Sequence, residues 1–139
     1  MCLDVYIGSN KYLPVISWNE ADPGFCVRET LEEEVLGALS PILKKDFIYN
    51  IGSFMGCSCG FSYGHWSKNN EKENHSARVR DTFALVHYLQ SHLEDNELIL
   101  FGTWWDDFPE EYPMETFSLS TINEEEFDFA EETILVVSA

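Results

Sequence analysis

Two cysteines, Cys57 and Cys59, lie one residue apart in a stretch where glycine recurs at positions 52, 56, 60 and 64. Thiols at i and i+2 of an extended segment point the same way, and thiolates bind soft metals such as zinc. A zinc site usually shows two Cys-x-x-Cys pairs, or one such pair with a histidine pair, and this chain has neither. Buried structural thiols are therefore the favoured alternative, because free cysteine is among the most buried residue types. The predicted zinc ligands are Cys57, Cys59, Cys2 and His65, with Cys26 and His75 as further candidates.

A cysteine-dependent hydrolase or transferase is a further alternative. A reactive thiolate needs a positive neighbour, a helix N-terminus or a histidine base. The chain has only 8 basic residues, and His65 is the candidate base nearest to Cys57 in sequence. Removal of Met1 would make Cys2 the N-terminal residue, whose thiol and α-amine can act together as nucleophile and base.

A second group of chemically capable residues lies in the acidic, aromatic segment 104–113. Paired carboxylates can serve as general acid and base, but their spacing here does not match a calcium loop. Aromatic residues are enriched in protein interfaces, so exposed aromatics here would mark a binding surface. A loop with a buried aromatic side and a solvated acidic side is the favoured interpretation of this segment. The predicted partner-binding residues are Trp104, Trp105, Asp106, Asp107 and Tyr112.

The charge of the chain restricts its partners. It carries 25 acidic and 8 basic residues, for a net charge of -17. Nucleic acids and anionic membranes are contacted through Lys and Arg, so neither is an expected partner, whereas a basic protein is favoured. No apolar run approaches the roughly 20 residues that span a bilayer, and no basic region precedes a hydrophobic stretch at the N-terminus. We therefore expect a cytoplasmic protein with reduced thiols.

The hydrophobic pattern predicts a single α+β domain over residues 1–139. The sheet is expected to be mixed and mostly antiparallel, with five to six strands, and two helices are expected to pack on one face. Thr30 and Glu33 have the spacing of a capping box, and Ser40-Pro41 is expected to end the first helix. The predicted strands cover 2–7, 12–18, 47–51, 97–103, 117–122 and 133–138, and the predicted helices cover 30–39 and 76–93.

Two motifs carry a resemblance to other proteins. The N-terminal run MCLDVYIG and the run GSFMGCSCGF at 52–61 resemble a family of small bacterial proteins of uncharacterised function. The resemblance implies a bacterial cytoplasmic protein and carries no activity. The sequence thus favours a non-enzymatic protein-interaction domain, with a zinc-binding protein and a small cysteine-dependent enzyme as alternatives.

Overall fold

The computed structural model describes residues 3–61, 72–103, 112–122 and 132–139, with the backbone alone at 72–74. Within these residues the chain forms six strands and two α-helices. The strands are β1 (Asp4–Ser9), β2 (Cys26–Glu29), β3 (Phe47–Gly52), β4 (Ile99–Thr103), β5 (Met114–Ser118) and β6 (Ile134–Ser138). The helices are α1 (Glu33–Leu43) and α2 (Lys72–His92), and short 3-10 turns cover Ser58–Phe61 and Leu119–Thr121.

The strands form one sheet in the order β2-β3-β1-β4-β6-β5. The edge pair β5–β6 is parallel, and the other neighbouring pairs are antiparallel. This confirms the predicted α+β class and the mixed, mostly antiparallel sheet. The two edge strands described are β2 and β5.

The two helices lie on opposite faces of the sheet, so the prediction that both pack on one face is wrong. Val5 and Tyr6 point to opposite faces because side chains alternate along a strand. Val5 belongs to a core cluster with Leu89 of α2. Tyr6 belongs to a second cluster with Leu39 of α1. The sheet is thus the middle of three layers, which is why β1 is buried on both sides.

Helix α1 does not begin at the predicted capping box. The Thr30 amide donates to the Ile48 carbonyl at 3.0 Å, so Thr30 continues the pairing of β2 with β3. The helix starts three residues later, and the side chain of Glu32 at its N-cap makes no capping hydrogen bond with the described residues.

Pro41 does not end α1 either, because it lies inside the last turn. The helix continues to Leu43, which is buried with Leu39 four residues earlier. Burial of this second leucine offsets the free-energy cost of the backbone hydrogen bond that Pro41 cannot donate. The chain leaves the helix at Lys44, whose φ of 53° is left-handed.

The predicted strand at 12–18 is absent, and β2 takes the position beside β3 instead. Ile16 makes a single bridge to Val27, with both N–H···O distances at 3.0 Å. The Tyr88 hydroxyl of α2 donates to the Pro14 carbonyl at 2.7 Å. One bridge and a side-chain hydrogen bond, rather than a sheet ladder, thus hold this segment at the β2 edge.

Helix α2 is longer than predicted. Phe83 shares a helical apolar spacing with the buried Val86 and Leu89, yet it is 62% exposed. Arg78, Asp81 and Leu85 are buried instead. In the described part of the chain, no helix combines the length and apolarity needed to cross a bilayer.

Candidate functional site

The loop between β3 and α2 contains the twin cysteines, and Ser53 organises its first half. The Ser53 hydroxyl donates to the Cys57 carbonyl at 2.7 Å and accepts from the amides of Gly60 at 3.1 Å and Met55 at 3.3 Å. The Ser53 amide donates to the same Cys57 carbonyl at 2.8 Å. The hydrogen bonds of the buried Ser53 thus stabilise the turn that runs from Ser53 to Cys57.

The second half of this loop is joined to β1 by Ser58 and Cys59. The Ser58 hydroxyl accepts from the Val5 amide at 3.0 Å and donates to the Ile51 carbonyl at 2.6 Å. The Cys59 sulfur accepts from the Leu3 amide at 3.1 Å. Both side chains are buried, so they satisfy backbone groups at the start of β1 that would otherwise be buried without a partner.

Three glycines of this loop are required by its geometry. A Cβ on Gly52 would lie 2.9 Å from the Gly56 oxygen and overlap the Cys26 sulfur. A Cβ on Gly60 would overlap the Ser53 side chain. Gly56 has a φ of +83°, which side chains rarely adopt. The glycine spacing therefore has a structural cause.

Asp81 on α2 holds two loops against the helix. Its carboxylate accepts from the Phe54 amide at 2.8 Å and from the Arg80 Nε at 3.2 Å. Arg80 also donates to the Pro23 carbonyl at 2.8 Å. Burial raises the pKa of Asp81, while the Phe54 amide and Arg80 oppose that shift. The buried carboxylate thus fixes the positions of loops 19–25 and 53–57.

The cysteines do not have the geometry that the zinc prediction assumed. Ser58 begins a 3-10 turn, so Cys57 and Cys59 do not lie on one extended segment. Cys57 is half-buried and Cys59 is buried. Burial raises the pKa of the Cys26 thiol, with Arg28 opposing it, so this thiol stays protonated at neutral pH.

The remaining predicted zinc ligands are incompletely described. Cys2 and His65 lie outside the described residues. The His75 Nδ1 lies 3.1 Å from the Arg78 Nη2. Among the described residues, no group of three or more histidine, cysteine, aspartate or glutamate side chains is placed to hold a metal ion. The four-ligand zinc site stays a prediction.

The predicted partner-binding segment is described only at its end. Trp104, Trp105, Asp106 and Asp107 lie outside the described residues. Tyr112 is half-buried, and its ring packs edge-on against Phe101 with centroids 4.7 Å apart. Tyr112 therefore contributes to the core beneath α1.

Two exposed apolar side chains near Gly56 at the β2 edge, Trp18 and Met55, form a surface that sequence reasoning missed. We call this pair the β2-edge ridge. They are 38% and 43% exposed. The Trp18 ring lies 3.7 Å from the point that a Cβ on Gly56 would occupy, and Met55 precedes Gly56. The apolar run in 12–18 is the available signal in the sequence, but its pattern predicts a strand.

A cleft of about 340 Å³ lies between β1, β2, β3 and the start of α1, and its Arg28 contacts Gly56, which lies beside Trp18. We call it the α1 cleft. The Arg28 Nη2 donates to the Asn50 Oδ1 at 2.7 Å and to the Gly56 carbonyl at 3.2 Å. The Thr30 hydroxyl is buried and has no hydrogen-bond partner among the described residues. The charged residues that line the α1 cleft are Asp4, Arg28, Glu29 and Glu32.

Comparison with known proteins found no matching family model, no similar curated protein and no similar solved structure. The resemblance inferred from the two motifs therefore stays a prediction. What the molecule does has to be inferred from its own surface.

Proposed function

We propose that this chain is a non-enzymatic protein-interaction domain that binds a basic protein partner in the cytoplasm. The observation that carries the proposal is the β2-edge ridge in a chain of net charge -17. Single exposed apolar residues are ordinary on protein surfaces, whereas grouped ones mark interaction sites. Tryptophan is also among the residues that most often dominate binding energy.

The way the ridge is held supports this proposal. Trp18 lies two residues after Ile16, which is bridged to β2, and Arg80 donates to the Pro23 carbonyl, which follows Trp18 in sequence. Met55 belongs to the turn closed by Ser53. A surface fixed before binding loses less conformational entropy when the partner arrives.

The environments of two thiols, those of Cys26 and Cys59, support a non-enzymatic role. Catalysis by cysteine requires an accessible thiolate with a lowered pKa. The Cys26 thiol is buried with a raised pKa, and the Cys59 sulfur is buried and accepts the Leu3 amide. Both environments oppose nucleophilic attack.

Affinity purification from a lysate of the source cells tests this function. The tagged chain should retain an identified basic protein, and the two purified proteins should bind each other in about 0.15 M salt, where the Debye length is about 8 Å. Retention at that ionic strength requires contacts beyond long-range charge attraction. Capture no better than with the tag alone, or binding that disappears at this salt concentration, would refute the proposal.

A further inference from the structure

We propose that the β2-edge ridge and the α1 cleft together form one docking surface, which fits a basic partner segment carrying an arginine beside a large apolar side chain. This inference rests on the proposed function and specifies its surface and the partner's chemistry. The ridge would cover the apolar side chain, and the cleft would receive the guanidinium.

The ridge and the cleft meet at Gly56. The Trp18 ring packs against the position of the missing Gly56 side chain, and Arg28 of the cleft donates to the Gly56 carbonyl at 3.2 Å. A segment crossing Gly56 would therefore contact both features. Leu31, which lines the cleft and is 75% exposed, would extend the apolar contact on the far side.

The charge of the cleft favours a cation. Glu29 and Glu32 bring two carboxylates, against the single guanidinium of Arg28. Arg28 hydrogen-bonds two neutral oxygens, one from Asn50 and one from Gly56. The lining thus keeps a surplus of negative charge, and this charge complementarity identifies the occupant as basic.

The lack of converging carboxylates among the described residues favours a guanidinium over a metal ion in the cleft. Metal ions need ligands that converge within about 2.0–2.6 Å of one point. The described carboxylates include no such group of three. A guanidinium instead presents five N–H donors in a planar fork, so it can bridge acceptors that stand apart. Lysine, with a compact ammonium group, matches this arrangement less well.

A second copy of this chain is a poor occupant because both copies carry a charge of -17. Nucleic acid is disfavoured for the same reason. A basic protein segment is the class of partner that satisfies both the apolar ridge and the acidic cleft.

A selection from a library of random short peptides tests the surface directly. Wild-type protein is the bait in about 0.15 M salt, and synthetic copies of enriched peptides are titrated by fluorescence anisotropy. We expect enriched peptides to pair arginine with a large apolar residue. Replacing that arginine with lysine should weaken binding roughly fivefold. No enrichment, or enrichment of peptides lacking arginine, would overturn the inference.

Matched variants locate the binding site. Trp18→Ser, Met55→Ser and the double change Glu29→Gln with Glu32→Gln should each weaken binding roughly tenfold, the size expected for losing a strong interface contact. Met114→Ser and Glu115→Gln are the controls, since both residues are exposed on β5 at the opposite edge of the sheet. Circular dichroism verifies that each variant is folded.

The variants also separate this inference from the proposed function. A natural partner that binds Trp18→Ser, Met55→Ser and the glutamine double variant as tightly as the controls would overturn the docking surface and leave the interaction function standing. If no partner binds even the wild-type chain, the function itself fails.

Discussion

Replacing Gly60 with alanine should reveal how strongly the cysteine loop depends on glycine. The new Cβ would overlap the Ser53 hydroxyl and lie 2.7 Å from the Ser53 Cβ and 2.8 Å from the Phe54 ring. Real Cβ atoms do not approach other heavy atoms this closely, so Ser53 must move. Because both residues are buried, the displacement would propagate into the loop.

The expected cost follows from what Ser53 holds. Its hydroxyl makes hydrogen bonds at 2.7, 3.1 and 3.3 Å, each contributing about 1 kcal/mol. Overpacking against the Phe54 ring adds about 1–3 kcal/mol. Gly60→Ala should therefore lower the free energy of unfolding by about 4–6 kcal/mol, a large part of the roughly 5–15 kcal/mol that stabilises a typical domain.

Urea denaturation followed by tryptophan fluorescence measures this change. With a slope of about 2 kcal/mol per molar urea, the midpoint should fall by about 2–3 M. Gly37→Ala is the matched control because a Cβ there meets nothing within 4 Å in the middle of α1. That variant should gain about 0.5–1 kcal/mol. A loss below about 1 kcal/mol for Gly60→Ala would refute the steric reasoning.

Four other expectations concern the thiols, Asp81 and Ser58. Iodoacetamide should label half-buried Cys57 in the native protein while buried Cys26 and Cys59 react only after unfolding; equal rates by mass spectrometry would contradict this. Elemental analysis of protein purified without chelators or a metal-affinity tag should find substoichiometric zinc, because the Cys59 sulfur is buried and already accepts an amide; one zinc per chain would restore the zinc prediction. Since burial raises the folded-state pKa of Asp81 above 3.8, the folded state binds its proton more tightly. The free energy of unfolding, relative to Asp81→Asn, should therefore fall as pH rises from about 3.8 through the raised pKa; a rise over that interval in paired urea titrations would show that the sign is wrong. Ser58→Ala should cost about 2–4 kcal/mol because it leaves a β1 amide and a β3 carbonyl unpaired in the core; a midpoint in urea equal to that of wild type would contradict it.

Strand prediction succeeded where burial is continuous. The apolar runs at 47–51, 97–103 and 133–138 match β3, β4 and β6 within two residues. Such runs are typical of strands covered on both faces. They therefore also contained a signal for helices on opposite faces, which the prediction of a one-sided sheet overlooked.

Local signals failed where tertiary contacts compete with them. Thr30 has the spacing of a capping residue, yet its amide pairs with the Ile48 carbonyl in the sheet. Phe83 fits the apolar spacing of α2, yet the helix instead turns Arg78 and Asp81 inward. Neither choice can be read from nearby residues alone, because Thr30 pairs with Ile48 and Asp81 accepts from the Phe54 amide, both far away in sequence.

The candidate site was harder to predict than the fold. The sequence correctly marked 52–61 as unusual, but the glycines there follow from close approaches to Ser53 and Cys26. Trp18 was visible in the sequence, but its exposure depends on how loop 12–18 crosses β2. Surface position is set by tertiary packing, so residue type alone could not identify the ridge.

The central place of β1 has a consequence for biosynthesis. Val5 pairs with Ile51 on one side and with Gly102 on the other, so the earliest strand waits for partners made much later. During translation its apolar side chains must stay unpaired while most of the chain emerges from the ribosome. Closing such distant pairs is slow, and a nascent chain of this kind is a natural client for chaperones that bind exposed hydrophobic segments.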